Sequence, residues 1–288
     1  MKARARDQTA SPFELSVVTR GVDDESIVQY AKEKILHAAR AAPRRVLFGR
    51  LKLSHELHRS VERPAIAEVM LDLNGRAVRA HVAARDIREA SDLLEQRLRR
   101  KLKDIEHESE FLRRFTGAAE PGEWRRGNLA THRPAYFRRP PEEREVVRRK
   151  TFTLGRRTSA EAAFEMESLD HDFHLFLDAA TGQDTVIYRL PDGGYELMRT
   201  TSGAAKDPAG ISVSRAEPTT MHLAEAVQRL NGGGEPFLFY IDVATRRGNV
   251  LYHRYDGHYG VIAPAEPREE PAAENRAGRG RRSRRRVA

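Results

Sequence analysis

Between Ala160 and Met198 the chain carries a segment that it repeats without a gap 64 residues later. AEAAFEM returns as AEAVQRL, and FHLFLDAATGQDTVIYRLPDGGYELM returns as FLFYIDVATRRGNVLYHRYDGHYGVI. Ala160, Glu161 and Ala162 thereby align with Ala224, Glu225 and Ala226. Phe173 aligns with Phe237, Asp178 with Asp242, Val186 with Val250, Tyr188 with Tyr252, Gly193 with Gly257, and Tyr195 with Tyr259. Each copy reads as a helix followed by a strand–turn–strand. A unit this short cannot bury its own apolar face, so the two copies are expected to bury each other.

Composition narrows the partners. The 288 residues carry a net charge of +9, and only eight of the 51 basic residues are Lys. The planar fork of arginine matches phosphate with two parallel hydrogen bonds, so a polyanion is the first partner to weigh. Compositional bias of a GC-rich genome is the competing account of the arginine excess. The absence of cysteine rules out disulfides, thiolate catalysis and Cys-ligated zinc. No apolar run approaches the roughly 20 residues needed to span a bilayer. The N-terminus lacks a signal-peptidase pattern. No membrane partner is expected, and a cytoplasmic location is.

Periodicity divides the chain. Residues 1–12 read as a flexible lead-in. FELSVVTR (13–20) alternates like a strand. Ile27, Tyr30, Ala31, Ile35 and Ala38 recur at helical spacing. Two further strand patterns follow, and Asn74-Gly75 is a strong hairpin signal before the return strand 76–83. Asp86 caps a long helix whose buried stripe is Ile87, Ala90, Leu94, Leu98, Leu102 and Ile105. The order β-α-β-β-β-α over 13–115 predicts an α+β domain, a sheet with two helices on one face. Residues 116–145 read as a linker, ending in a strand (146–154) that enters the first repeat. The repeats are assigned to 146–199 and 217–264, two tandem helix/β-hairpin units joined by a second linker, 200–216. Residues 265–288, ending RGRRSRRRVA, have the composition of a disordered basic tail.

The segments TRG, IVQYAKEKI, AEVMLDLNGRAVRAHVAARD and DLLEQRLRRKL in the first domain resemble the ribosome hibernation promoting factor family. The repeat resembles the C-terminal domain of that family's long form through Asp172, Phe173, Phe176, Thr181, Gly182, Val186, Tyr188, Arg189, Asp192, Gly193 and Tyr195. The resemblance implies a factor that binds the ribosome, mainly the small subunit and its 16S-type rRNA in the mRNA/tRNA channel, and silences translation in resting or stressed cells. It also implies a self-associating C-terminal domain. This chain departs from the pattern by carrying two such units, and each has drifted differently: Leu190-Pro191 and Glu196 in the first copy, Thr245-Arg246 in the second. Pairing of the two units within one monomeric chain is expected, with a homodimer as the alternative. An RNA-binding or transcription-associated stress regulator without stable ribosome occupancy is the second functional reading.

The candidate rRNA-binding residues are basic. Arg85, Arg88, Arg99, Arg100 and Lys103 project away from the stripe of the long helix, with Arg97 on its flank. Lys34 on the first helix and Arg76 and Arg79 on the hairpin add charge nearby. Aligned with the family's helix motif, Lys34, Arg97 and Arg100 fall on its basic positions. Phosphate binding needs only positive charge at suitable spacing. The competing reading is a solvated helix face paired with Glu89, Asp92 and Glu95. The candidate pairing interface of the repeats is Phe173, Phe176, Val186, Tyr188 and Tyr195 with Phe237, Tyr240, Val250, Tyr252 and Tyr259. Core and interface packing is the expected role of these aromatics, with base stacking the minor alternative. His171 and His174 lack the partners of a metal site. No nucleophile–base set, P-loop or zinc motif can be assembled, so neither catalysis nor a cofactor is expected.

Overall fold

The computed structural model describes residues 13–55, 63–113, 139–191, 193–201, 210–254 and 256–265. The expectations for 1–12, for most of 116–145, for 202–209 and for 266–288 fall outside them.

The first domain runs β1 (Glu14–Arg20), α1 (Glu25–Ala39), β2 (Val46–His55), β3 (Ala65–Leu73), β4 (Arg76–Ala84), α2 (Ile87–Glu106) and α3 (Glu108–Arg113). The sheet order is β1-β2-β3-β4, with β1 and β2 parallel and the remaining pairs antiparallel. Strict alternation in β3 sends Ala65, Ala67, Val69, Leu71 and Leu73 fully inside, where both helices cover them. Helices α1 and α2 each start where an aspartate can accept orphan amides. Asp24 takes the Ser26 N–H at 2.8 Å, and Asp86 takes the Glu89 N–H at 2.8 Å. Asn74 and Gly75 both hold positive φ (55° and 90°), the geometry of the tight turn that closes β3 onto β4. The stripe from Ile87 to Ile105 is buried, and with Ile35, Ala38 and the strands it forms one core. The fold is α+β as expected, and β4 is an outer strand.

The second half holds two five-stranded sheets. A 3₁₀ turn, Pro141–Glu143, leads into β5 (Val146–Phe152), β6 (Arg156–Arg157), α4 (Ser159–Ser168), β7 (Phe173–Asp178), β8 (Asp184–Arg189), β9 (Tyr195–Arg199) and β10 (Ser212–Val213). Then come β11 (Thr220–Met221), α5 (Leu223–Gly233), β12 (Phe237–Asp242), β13 (Gly248–His253) and β14 (Tyr259–Pro264). The first sheet is ordered β10-β9-β8-β7-β6 and the second β11-β12-β13-β14-β5. Both units therefore extend the hairpin with a third antiparallel strand, and both carry a short parallel strand before the helix. Thr158 and Glu161 cap α4 reciprocally, at 2.9 and 3.3 Å. The equivalent Glu225 accepts the His222 N–H at 2.8 Å.

The fifth strands correct the sequence assignment. Residues 146–152 form a strand, but it does not enter the first unit's sheet: β5 pairs in parallel with β14 of the second. The first unit is completed from the other side, by β10 beyond it, parallel to β9. Periodicity marks a strand but carries no information about its partner, and here the chain crosses between units to cover both edges.

Candidate nucleic-acid interface and the paired repeats

The nine candidate rRNA-binding residues separate into three environments. Arg88, Arg99, Arg100 and Lys103 are exposed along α2, and Arg85 is exposed just before it. Arg88 stacks its guanidinium 4.5 Å from the Tyr30 ring centre, and Arg99 reaches Glu95 at 3.2 Å. Lys34 and Arg79 are held by carboxylates. Lys34 Nζ lies 2.8 Å from Asp92 and 3.0 Å from Glu95, tying α1 to α2. Its hydrogen bonds to Asp92 and then Glu95 raise its pKa above the ordinary lysine range. Arg79 sits 3.1 Å from Glu68 on the neighbouring strand.

Arg76 and Arg97 occupy the third environment, where each is held by a carboxylate instead of standing open to solvent. Both are engaged at a junction with the first repeat. Arg76 makes two parallel bonds to Glu108 (2.6 and 2.7 Å) and stacks 5.1 Å over Phe164 of α4. Phe164 also meets Phe111 edge-on at 5.2 Å and enters the core of the first domain. Arg97 donates Nε and Nη2 to Asp170 at 3.1 and 2.5 Å.

Asp170 is the centre of this junction, and sequence reasoning missed it together with Lys101 and His81. It follows α4 with a left-handed φ of 55° and a side chain only 2% exposed. Besides Arg97, its carboxylate accepts the His81 N–H of outer strand β4 at 3.0 Å. Lys101 Nζ lies 3.0 Å away and His81 Nδ1 2.7 Å away. Lys101 also donates to the Glu167 carbonyl. Burial alone would raise the Asp170 pKa, but the His81 side chain, the Lys101 charge and the Arg97 hydrogen bond overcome it and hold it far below the usual carboxylate range. A signal for Lys101 was present: it follows Leu94 and Leu98 on the buried arc of α2. No local pattern points to Asp170.

Beside this centre, burial first and then Arg79, His174 and Lys150 push the His171 pKa down to about 3. Glu165, bonded to His174 and Arg157, is lowered to about 2. Among the described residues no group of three or more His, Asp or Glu side chains is placed to hold a metal ion.

The repeats meet through one face of each sheet. Phe173 and its equivalent Phe237 contact one another with ring centres 4.8 Å apart. Phe173–Tyr252 (5.6 Å) and Tyr188–Phe237 (5.4 Å) are the same contact seen from either unit. This reciprocity is that of a twofold interface built inside one chain. Val186 and Val250 are fully buried with them. Strand parity sends the other predicted interface residues the opposite way. Phe176 and Tyr195 pack beneath α4, and Tyr240 and Tyr259 beneath α5. Leu154, Leu175, Met198, Phe239 and Ile262 take part instead.

The pseudo-symmetry is broken at one pair. Asp184 and Gly248 are equivalent positions, and they touch. Asp184 accepts the Gly248 N–H at 2.9 Å and a two-pronged contact from Arg247 at 2.7 and 2.8 Å. A Cβ on Gly248 would lie 2.7 Å from the Phe239 ring and 3.0 Å from the Asp184 Cβ. One unit supplies the carboxylate and the other the space for it.

An α+β domain with an exposed basic helix face, followed by two mutually packed copies of a helix-and-sheet module, defines the class. Residues 141–197 and 211–261 each match the family described as Sigma 54 modulation/S30EA ribosomal protein C terminus. Over 135 residues the chain is 42% identical to the dormancy associated translation inhibitor of Mycobacterium tuberculosis, covering 43% of this chain and 49% of that one. It is 32% identical over 180 residues to the ribosome hibernation promotion factor of Deinococcus radiodurans, covering 60% and 91%. With the ribosome hibernation promotion factor of Bacillus subtilis it shares 31% over 137 residues, covering 46% and 71%. The match spans about half the length of the Mycobacterium relative. The chain belongs to the ribosome hibernation promotion factor family.

Proposed function

We propose that this protein silences ribosomes without chemistry: its first domain binds rRNA of the small subunit in the mRNA/tRNA channel, and its paired repeats hold it as a monomer in the cytoplasm of resting cells. The observation that carries the reading is the exposed row Arg85, Arg88, Arg99, Arg100 and Lys103 on and just before α2, in a chain of this family. Arg99, Arg100 and Lys103 cluster toward the C-terminal end of α2 and Arg85 and Arg88 at its start, and phosphate contacts at these two ends need no base-specific donors.

The test is binding of the pure full-length protein to purified small subunits. Roughly six to ten phosphate contacts weaken binding by about 10³–10⁵ between 50 and 200 mM salt. Replacing Arg99, Arg100 and Lys103 together by Glu removes binding while the circular dichroism spectrum is unchanged, because all three lie off the buried stripe. Unchanged affinity in that variant rejects this face. In cells, co-sedimentation with ribosomal particles on a sucrose gradient separates this reading from a regulator that never occupies the ribosome.

The monomeric state is part of the proposal. Pairing of Asp184 with Gly248 is available only between unlike units. Two first units facing each other would oppose carboxylate to carboxylate at this position, and two second units would have no acceptor for the amide. A tether between the units raises their local concentration to about the millimolar range, so the pair closes within one chain.

A further inference from the structure

We infer that the outer edge of β4 and the adjoining flank of α2 form an anion-binding site that the chain fills in cis with Asp170, and that a backbone phosphate of RNA competes for it. RNA binding at this site and docking of the first repeat then exclude one another. The inference rests on the RNA-binding reading of the first domain and adds a closed state that RNA opens when it extends from the exposed row onto this site.

The donor set is that of a phosphate site. An arginine fork, a lysine ammonium and a main-chain N–H converge on one carboxylate: Arg97 at 3.1 and 2.5 Å, Lys101 at 3.0 Å, and the His81 N–H at 3.0 Å. The same three kinds of donor bind phosphate oxygens. Two permanent cations face a single carboxylate, so removing Asp170 leaves an electropositive notch without its anion. The Asp170 side chain is 2% exposed and those of Lys101 and Arg97 are 9% and 19% exposed, so this contact is screened by salt far less than the open row beside it.

The site is also continuous with the proposed RNA-binding face. Arg97 and Lys101 lie on the same helix as Arg99, Arg100 and Lys103, one side of α2 covered by α4 and the other exposed. An RNA strand can engage the exposed row while the repeat is docked, and extends onto Arg97 and Lys101 only when α4 leaves. Phe164, seated against Phe111 and Arg76, gives the docked state its apolar contact. The apparent affinity of this site for an RNA phosphate is then its intrinsic affinity multiplied by the open fraction.

The chain has no cysteine, so a donor–acceptor dye pair can be placed at the exposed positions Ser109→Cys and Arg156→Cys, one on each side of the junction. The probe is a fluorescent single-stranded oligoribonucleotide, followed by purified small subunits. Titrating RNA into the otherwise wild-type chain should lower the energy transfer as binding saturates. Asp170→Asn should start from lower transfer and bind the oligonucleotide about tenfold more tightly. Binding with undiminished transfer overturns the inference and leaves the exposed row as the RNA face. Equal affinity of wild type and a folded Asp170→Asn variant overturns it likewise. Absence of RNA binding in both overturns the RNA-binding reading and this inference with it. The wild-type titration decides the matter even where the variant fails to fold.

Discussion

Gly248 shows how one residue decides a contact between two sheets. Its position demands the absence of a side chain, since a Cβ there would meet the Phe239 ring at 2.7 and 2.8 Å and Asp184 at 3.0 Å. The ring is buried between the sheets and has no room to swing away. Gly248→Ala should therefore destabilise the paired repeats by about 1–3 kcal/mol, the usual cost of overpacking a filled core. Urea denaturation followed by far-ultraviolet circular dichroism reads this, and a midpoint equal to wild type would show that the sheets can slide apart to admit the methyl. The residues of this interface were half legible in the sequence. Phe173, Val186, Tyr188, Phe237, Val250 and Tyr252, which the sequence predicts as partners, lie between the sheets. Phe176, Tyr195, Tyr240 and Tyr259, which the same pattern also predicts as partners, lie beneath the helices. Conservation of character between copies selects both groups equally. Only strand parity separates them, because successive side chains point to opposite faces.

At the scale of elements, the fifth strands carry the main lesson. Val146–Phe152 precedes the first unit but pairs with β14 of the second, from Tyr259 to Pro264. The second unit cut out alone would expose that edge as a row of unpaired backbone groups. A fragment of residues 210–265 is expected to lack a cooperative thermal transition or to self-associate, whereas residues 139–265 should melt cooperatively as a monomer. Calorimetry and sedimentation of the two fragments provide the comparison. A monomeric 210–265 that melts like the longer fragment would show that β5 is dispensable. Helices and hairpins were readable because their signals are local: Asp86 as a cap, Asn74-Gly75 as the turn, and the stripe from Ile87 to Ile105. A strand's partner is set by sheet edges far away in sequence, and no spacing within residues 146–152 encodes it.

At the scale of the whole molecule, the two units pack against each other within the chain. The reciprocal contacts Phe173–Tyr252 and Tyr188–Phe237 are those of a twofold dimer, while Asp184 and Gly248 make the halves unlike. Light scattering on the full-length protein at micromolar concentration should return the mass of one chain, 32.7 kDa. A stable dimer would show that exchange of units between chains prevails over closure within one. The sequence by itself determined the two α+β parts, the repeat and its 64-residue offset, the caps, the turn and the excess of arginine, since each of these is written in neighbouring residues or in bulk charge. The tertiary structure alone decided which face of each repeat sheet meets the other, which unit receives β5, and that Asp170 takes Arg97 and Lys101 out of solvent. Those outcomes depend on groups brought together from distant parts of the chain, where the energy of burying a charge or a ring is settled by what lies opposite and not by what lies next in the chain.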